Sequence, residues 1–168
     1  MKKILFFAIA TAMLGMTFTS CDDDEKNDSS EKTALEGKWS HSQRTDYQGN
    51  GYSIQAESFT FKGNTLAIEA SETGVNPGGG TWGSGHKYTG TFTCTGSTFT
   101  FKIEKFYSFN NDDTPFDWHE YQEGLEGQSF TFTYQIEDEH SLGVIAPEEI
   151  SLGPGSFLRG EMAWYAKE

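Results

Sequence analysis

The chain lacks several features that would place it in common classes of protein. It has only two cysteines in 168 residues, Cys21 and Cys94, which excludes a framework of several disulfides. It has no uninterrupted apolar run of about 20 residues, the length that a membrane-spanning helix needs. Basic residues are few, with 12 Lys and Arg against 25 Asp and Glu. The resulting net charge of −13 repels phosphate backbones, so nucleic acid is not expected as a partner.

Motifs for catalysis and metal binding are equally scarce. None of the four histidines lies at metal-ligand spacing from a cysteine or another histidine, so no zinc site is expected. The acidic segment around Asn110–Asp113 lacks the spacing and the central glycine of an EF-hand loop, and it is interpreted as a solvated loop. No G-x-S-x-G elbow is present, and nothing singles out two carboxylates for glycoside hydrolysis. We therefore expect neither an enzyme activity nor a metal or cofactor.

The N-terminal segment has the layout of a secretory signal. Two lysines precede an apolar run over Ile4–Met16, and small and polar residues follow it. Secretory signals combine a basic start, an apolar stretch of roughly 7–15 residues and small residues before the cleavage site. Residues 1–20 are therefore predicted to be a signal peptide. Residues 21–33 are charged and nearly free of apolar side chains, and they are predicted to be a disordered tether.

Cys21 follows this signal and is itself followed at once by an acidic run, Asp22–Glu25. This arrangement resembles the lipoproteins of Bacteroidetes-type bacteria, with Phe18 where their lipobox usually has leucine. The acidic run resembles the surface-export signal of the same group. The resemblance implies a protein of the outer membrane, displayed at the cell surface, whose contact with the membrane is the lipid on Cys21.

The rest of the chain, residues 34–168, is patterned for β-strands. Aromatic and apolar residues alternate with threonines and other polar residues in runs such as Tyr88–Thr95, Thr98–Ile103 and Phe130–Ile136. This alternation is typical of strands with one buried and one solvated face. It slips near Lys105, which predicts a bulge. No helical periodicity of useful length is present in this region.

Turn residues divide the region into about eight strands. Gly63-Asn64 and Gly96-Ser97 are two-residue hairpin signals of the type that requires positive φ. The first strand is predicted near Lys38–Tyr47 and the last near Phe157–Ala166. Short sequential hairpins favour an up-and-down barrel, which removes free sheet edges, over a sandwich with long crossovers. The sequence therefore predicts one all-β domain, an eight-stranded antiparallel up-and-down barrel.

The start of the first strand carries a second resemblance. Residues 35–39 read Leu-Glu-Gly-Lys-Trp, which resembles the L-x-G-x-W opening of lipocalin-like domains. A late aromatic strand with Met162, Trp164 and Tyr165 extends the resemblance over roughly residues 34–167. In that family the glycine lets the chain turn tightly into the strand, and the tryptophan closes one barrel end. The resemblance thus implies a lipocalin-like barrel with Trp39 at its closed end.

Two segments are predicted to be long loops, Gly74–Gly85 and Asn110–Gln128. Long loops in compact domains are usually functional or disordered, and loops on rigid scaffolds concentrate recognition residues. In an up-and-down barrel these two connections face the same mouth. Trp82, Trp118 and Tyr121 lie in these segments and are the predicted ligand-binding residues, because each offers a flat apolar face with a polar handle. Such aromatics can instead fold back and plug the barrel end.

The leading functional hypothesis is a non-catalytic binding module for a small apolar or glycan-derived ligand at the barrel mouth. The alternative is a protein-interaction subunit or inhibitor of the outer envelope that acts through its loops. A third hypothesis is a purely structural envelope component. An eight-stranded barrel is just wide enough to be filled by side chains or to hold one small ligand. The many inward phenylalanines favour a largely filled interior.

Overall fold

The chain forms nine strands in the part that the computed structural model describes, residues 31–110, 117–121, 124–158 and 160–168. Their bounds are β1 Gly37–Asp46, β2 Tyr52–Lys62, β3 Thr65–Val75, β4 Thr81–Thr95, β5 Thr98–Phe109, β6 His119–Tyr121, β7 Ser129–Asp138, β8 Ser141–Ile145 and β9 Ala163–Lys167. The predicted signal peptide and most of the predicted tether, including Cys21, lie outside the described residues.

Eight of these strands close into an antiparallel up-and-down barrel, which confirms the predicted fold class. The hydrogen-bonded order is β1–β2–β3–β4–β5–β7–β8–β9, and β9 pairs again with β1. β6 is an additional short strand that pairs with β5 beyond the residues that pair with β7. We call the end with the connections after β1, β3, β5 and β8 the mouth, and the opposite end the base.

A bulge in β5 keeps the aromatic side chains of this strand inside the barrel. Thr89 faces Lys105 and Gly90 faces Ile103, so Glu104 is an extra residue on β5. The extra residue shifts the alternation by one, which leaves both Ile103 and Phe106 fully buried. The bulge that the sequence predicted near Lys105 is therefore confirmed.

The lower interior is filled by aromatic side chains. Phe99 and Phe132 stack with their ring centroids 4.9 Å apart, and the edge of Phe59 faces Tyr165 at 5.0 Å. The largest side chains with less than 2% of their surface exposed include Trp39, Phe59, Phe61, Phe99, Phe101, Phe106 and Phe132. Cys94 is also buried and belongs to the same core. The expectation of a largely filled interior agrees with this packing.

The base is closed by the chain that precedes β1. Residues 31–35 form a helical turn, and the indole Nε1 of Trp39 donates a 2.7 Å hydrogen bond to the carbonyl of Leu35. Lys167 lies over the Trp39 ring, with Nζ 4.9 Å from its centroid, and Lys32 donates to the Asn64 side chain in the β2–β3 turn. Trp39 therefore lies at the closed end, as the resemblance implied. No helix in the described part of the chain is long and apolar enough to span a bilayer.

The barrel wall is only half as high where β8 and β9 lie. Each of these strands has five residues, whereas the other six strands of the barrel have ten to fifteen. β9 pairs with β1 only at Trp39 and Ser40. The predicted last strand, Phe157–Ala166, was too long, since β9 begins at Ala163. The residues before it instead form a connection that folds over the mouth, and we call residues 146–158 the mouth strap.

Candidate functional site

Trp82 lies in a strand rather than in a long loop. The predicted loop Gly74–Gly85 was wrong, because β3 continues to Val75 and β4 begins at Thr81. Trp82 pairs with Gly74, and its ring covers that glycine: a Cβ added there would lie 2.7 Å from the indole Cε2. The register with β3 puts Trp82 on the inner face of the wall, close to the rim of the mouth.

Trp118 and Tyr121 lie elsewhere on the barrel. The ring of Trp118 packs edge-on against Phe109 at 4.7 Å and has the Lys87 ammonium 5.9 Å from its centroid, on the outer wall. Tyr121 belongs to β6, pairs with Phe106 and exposes 48% of its surface. Among the described residues, no ring contact joins any two of the three predicted aromatics. The structure therefore does not bring them together into one site.

The mouth strap is the segment that the sequence analysis missed, and it packs against the inner face of the barrel. The hydroxyl of Tyr88 donates a 3.0 Å hydrogen bond to the carbonyl of Ser151, and Leu152 is buried. Gly155 has a φ of +78° and contacts the backbone carbonyl of Ser71 so closely that a Cβ could not fit. The strap thereby plugs part of the mouth.

Glu57 fixes the strap from below. This β2 residue points inward and is only 1% exposed, and both of its carboxyl oxygens accept hydrogen bonds. Ser156 Oγ donates to Oε1 at 2.7 Å, while the Phe157 backbone N–H and the Tyr165 hydroxyl donate to Oε2 at 3.0 and 2.5 Å. Two of these three donors belong to the strap. The carboxyl group therefore joins β2, β9 and the strap at one point.

Burial dominates the acid–base behaviour of this group. Removal from water raises the pKa of Glu57, although hydrogen bonds from Tyr165, Ser156 and Phe157 and the nearby His41 act in the opposite direction. Burial also raises the pKa of the Tyr165 hydroxyl, and the neighbouring Glu57 carboxylate adds to that shift. The buried carboxyl thus keeps its proton to a higher pH than an exposed glutamate does.

His41 completes this cluster on the β1 side. Its Nδ1 donates a 2.7 Å hydrogen bond to the backbone carbonyl of Trp164, and its ring lies against Phe157 with centroids 4.1 Å apart. The imidazole thus covers the seam where β9 is too short to pair with the upper half of β1. Ser156 donates a hydrogen bond to Glu57, and the neighbouring Phe157 packs against His41. This cluster therefore holds the strap against the barrel at two consecutive residues.

A cavity of about 350 Å³ remains between the strap and the wall of the mouth. Gln55 of β2 and Glu72 of β3 form its wall, and they face each other directly in the sheet register. The strap supplies the rest of the lining, from Ile150 to Ser156 together with Leu158. The volume is at the lower end of the range of small-ligand sites, about 300–1,000 Å³. We call this space the mouth cavity.

The mouth cavity differs in chemistry from the aromatic core beneath it. It offers an amide, a carboxylate and the backbone groups of the strap, with Ile150, Leu152 and Leu158 as apolar surface. Trp82 lies on the same inner face, two residue pairs nearer to the rim than Glu72 and Ser84. Within the described residues, no group of three or more His, Cys, Asp or Glu side chains is placed to hold a metal ion.

The fold and the cavity define a plugged up-and-down β-barrel with a small polar cavity at its open end. Comparison with models of known protein families finds no match. Comparison with curated proteins finds no significant match either.

Proposed function

We propose that this protein is a non-catalytic binding module that takes a small polar ligand, such as a glycan fragment, into the mouth cavity. The observation that carries the proposal is the mouth cavity itself, about 350 Å³ in volume and walled by Gln55 and Glu72. Amide and carboxylate groups hydrogen-bond hydroxyls, and a nearby indole offers a flat apolar face. Trp82 is the one predicted binding residue whose position fits this site.

An apolar ligand inside the barrel fits the fold less well. The interior below the mouth is occupied by the stacked and edge-to-face rings around Phe59, Phe99 and Phe132, which are fully buried. Protein interiors at this density leave few voids larger than a water molecule. The support therefore shifts from an apolar ligand in the barrel to a polar one at its mouth.

The test is a titration of the protein with a panel of short glycans and small lipids, read by calorimetry and by Trp fluorescence. Gln55→Leu should weaken binding of the responding ligand by about fivefold or more, since the wall loses a hydrogen-bonding amide. Gln135→Leu makes the same chemical change on an exposed site of β7 and should leave binding unchanged. Binding that tolerates Gln55→Leu but disappears with Trp118→Ala would move the site to the outer wall.

We further propose that the protein is anchored to the outer membrane, at the cell surface, by lipid on Cys21. The support is the signal-like segment that ends at this cysteine and the acidic run that follows. More than one acyl chain makes such anchoring stable.

Cys21→Ala should therefore abolish acyl labelling and release the exported protein into the aqueous phase of a detergent partition. Cys94→Ala is the matched control, because that thiol is buried in the barrel. Equal acyl labelling of wild type and Cys21→Ala would rule out the anchor.

A protein partner is the second candidate function. The observation in its favour is Trp164, which lies on the outer face of β9 with 39% of its surface exposed. Its ring borders Gly143, where an added Cβ would lie 3.1 Å from Cη2, beside Met162. Exposed tryptophans are enriched among residues that dominate protein interfaces. Glycan binding that is lost in Gln55→Leu would count against this candidate.

A further inference from the structure

We infer that the ligand of the mouth cavity carries a positively charged amine, and that Glu72 binds this amine. The inference rests on the proposed function and adds the charge of the ligand to it. It depends on the surroundings of Glu72, on the second carboxyl beneath it, and on the hydrogen-bonding groups that the strap leaves available.

Glu72 is a partly buried carboxylate in the wall of the mouth cavity. It lies on the inner face of β3, between Gln55 of β2 and Ser84 of β4. The ion pairs of the described residues involve other carboxylates and lie on exposed or half-exposed surface, as in Lys87–Glu69 and Lys38–Glu168. No described lysine, arginine or histidine pairs with Glu72. Partial burial costs a carboxylate some of its hydration free energy, and a bound cation offsets that cost.

A second carboxyl group lies below the first. Glu57 faces Ala70, two residues before Glu72 on β3, so the two glutamates are diagonal neighbours on the inner face. Diagonal neighbours in an antiparallel pair lie about 7–8 Å apart. Ser156 is common to both surroundings, since it lines the cavity with Glu72 and donates a hydrogen bond to Glu57. Because burial raises the pKa of Glu57, the negative charge that a ligand meets is that of Glu72, and the net charge of −13 on the chain also favours cations over anions.

Several donors of the strap are already engaged within the protein. Pro154 has no N–H, and the N–H groups of Phe157 and Leu158 already bond to Glu57 and to Ser156 Oγ. The N–H of Ser156 bonds to the carbonyl of Gly153. An ammonium group has three donors and no acceptor, so it can bond to the Glu72 carboxylate and to strap carbonyl oxygens without needing any of these engaged donors.

The decisive experiment compares three β-linked disaccharides that differ in the substituent at one carbon, which is an amine in glucosamine, an amide in N-acetylglucosamine and a hydroxyl in glucose. We expect the glucosamine disaccharide to bind most tightly at pH 6, and its affinity to fall as salt is raised. Glu72→Gln keeps the shape of the side chain and should weaken this binding by roughly 10-fold or more, as expected for a charged hydrogen bond. It should change binding of the two neutral sugars by less than about twofold.

Two further variants make the result specific. Glu139→Gln removes the same charge at the base of the barrel and should leave every affinity unchanged. Gln55→Glu adds a carboxylate to the cavity wall and should tighten binding of the glucosamine disaccharide, so the inference is tested by a gain as well as by a loss.

The outcomes separate this inference from the proposed function. Equal binding of the three sugars, insensitive to Glu72→Gln, would overturn the inference and leave the proposed binding function intact. Failure of all three sugars to bind the folded wild-type protein would overturn both. Selective binding of the amine that is lost in Glu72→Gln and kept in Glu139→Gln would establish both.

Discussion

Replacing Phe99 with alanine is expected to lower the free energy of unfolding by about 3–5 kcal/mol. Phe99 is fully buried and touches the rings of Phe59, Phe61 and Phe132, so its removal leaves a void at the centre of the barrel. These three neighbours belong to β2 and β7, and each of these strands is hydrogen-bonded to a strand on both sides. This pairing limits how far the wall can move into the void. The measurement is urea denaturation followed by near-UV circular dichroism.

Thr93→Ala is the control for this prediction. Thr93 lies in the adjacent strand with its side chain exposed, so its truncation should change stability by less than about 0.5 kcal/mol. If Phe99→Ala lowers the free energy of unfolding by less than about 1.5 kcal/mol, the interior is packed less tightly than its ring contacts indicate. That result would support a ligand site within the barrel.

Replacing Glu57 with alanine is the second change with a large expected effect, a loss of about 2–4 kcal/mol. Alanine cannot accept the hydrogen bonds of Ser156, Phe157 and Tyr165, and it leaves the Tyr165 hydroxyl unpaired in the core. The strap should also loosen. Hydrogen exchange at the amides of Phe157 and Leu158 should therefore speed up more than exchange in β2 and β3.

Glu149→Ala serves as the matched change, since this glutamate is on the same strap but exposed. It should alter neither stability nor strap exchange. If strap amides exchange equally fast in wild type and in Glu57→Ala, the carboxyl group does not hold the strap.

The same residue should give the protein a characteristic dependence on pH. The pKa of Glu57 is raised above the ordinary value of 4.5, so below that value the carboxyl is protonated in both the folded and the unfolded chain. As the pH rises above it, the unfolded chain loses this proton first, and the free energy of unfolding falls until the folded carboxyl has also ionised. Glu57→Gln should remove this fall. A difference between wild type and Glu57→Gln that does not change with pH would contradict the assignment.

The strand pattern was predictable because it depends on local alternation. The alternating run that was predicted to begin at Thr98, after the Gly96-Ser97 turn, lies in β5, which begins at that residue. Even its bulge was visible in the sequence, because one extra residue reverses the alternation of buried and exposed positions in the rest of the strand. The position of Trp39 followed from a short motif and from counting hairpins. Such features need no knowledge of what a residue meets across the barrel.

The errors arose where long-range contacts decide. Gly85 was interpreted as a loop glycine, but it lies in β4, where the Phe109 ring occupies the space that a side chain would need. Phe157 was assigned to the last strand, but its N–H bonds to Glu57, which is 100 residues away in the sequence. The alternation did contain a signal for Glu57, because it shares the parity of Phe59 and Phe61. A glutamate at such a position needs polar partners, and only the fold reveals that the strap supplies them.

The closure of the base by the chain before β1 also orients the molecule. The N-terminal segment joins the barrel at the end opposite the mouth, since Leu35 and Lys32 contact the base. If Cys21 carries lipid as proposed, ten residues from Cys21 to Ser30 link the bilayer to that end, a reach of at most about 35 Å when fully extended. The barrel would then stand on its closed end close to the lipid headgroups. Its opening would point away from the bilayer, and with the anchor at the cell surface it would face the surrounding medium.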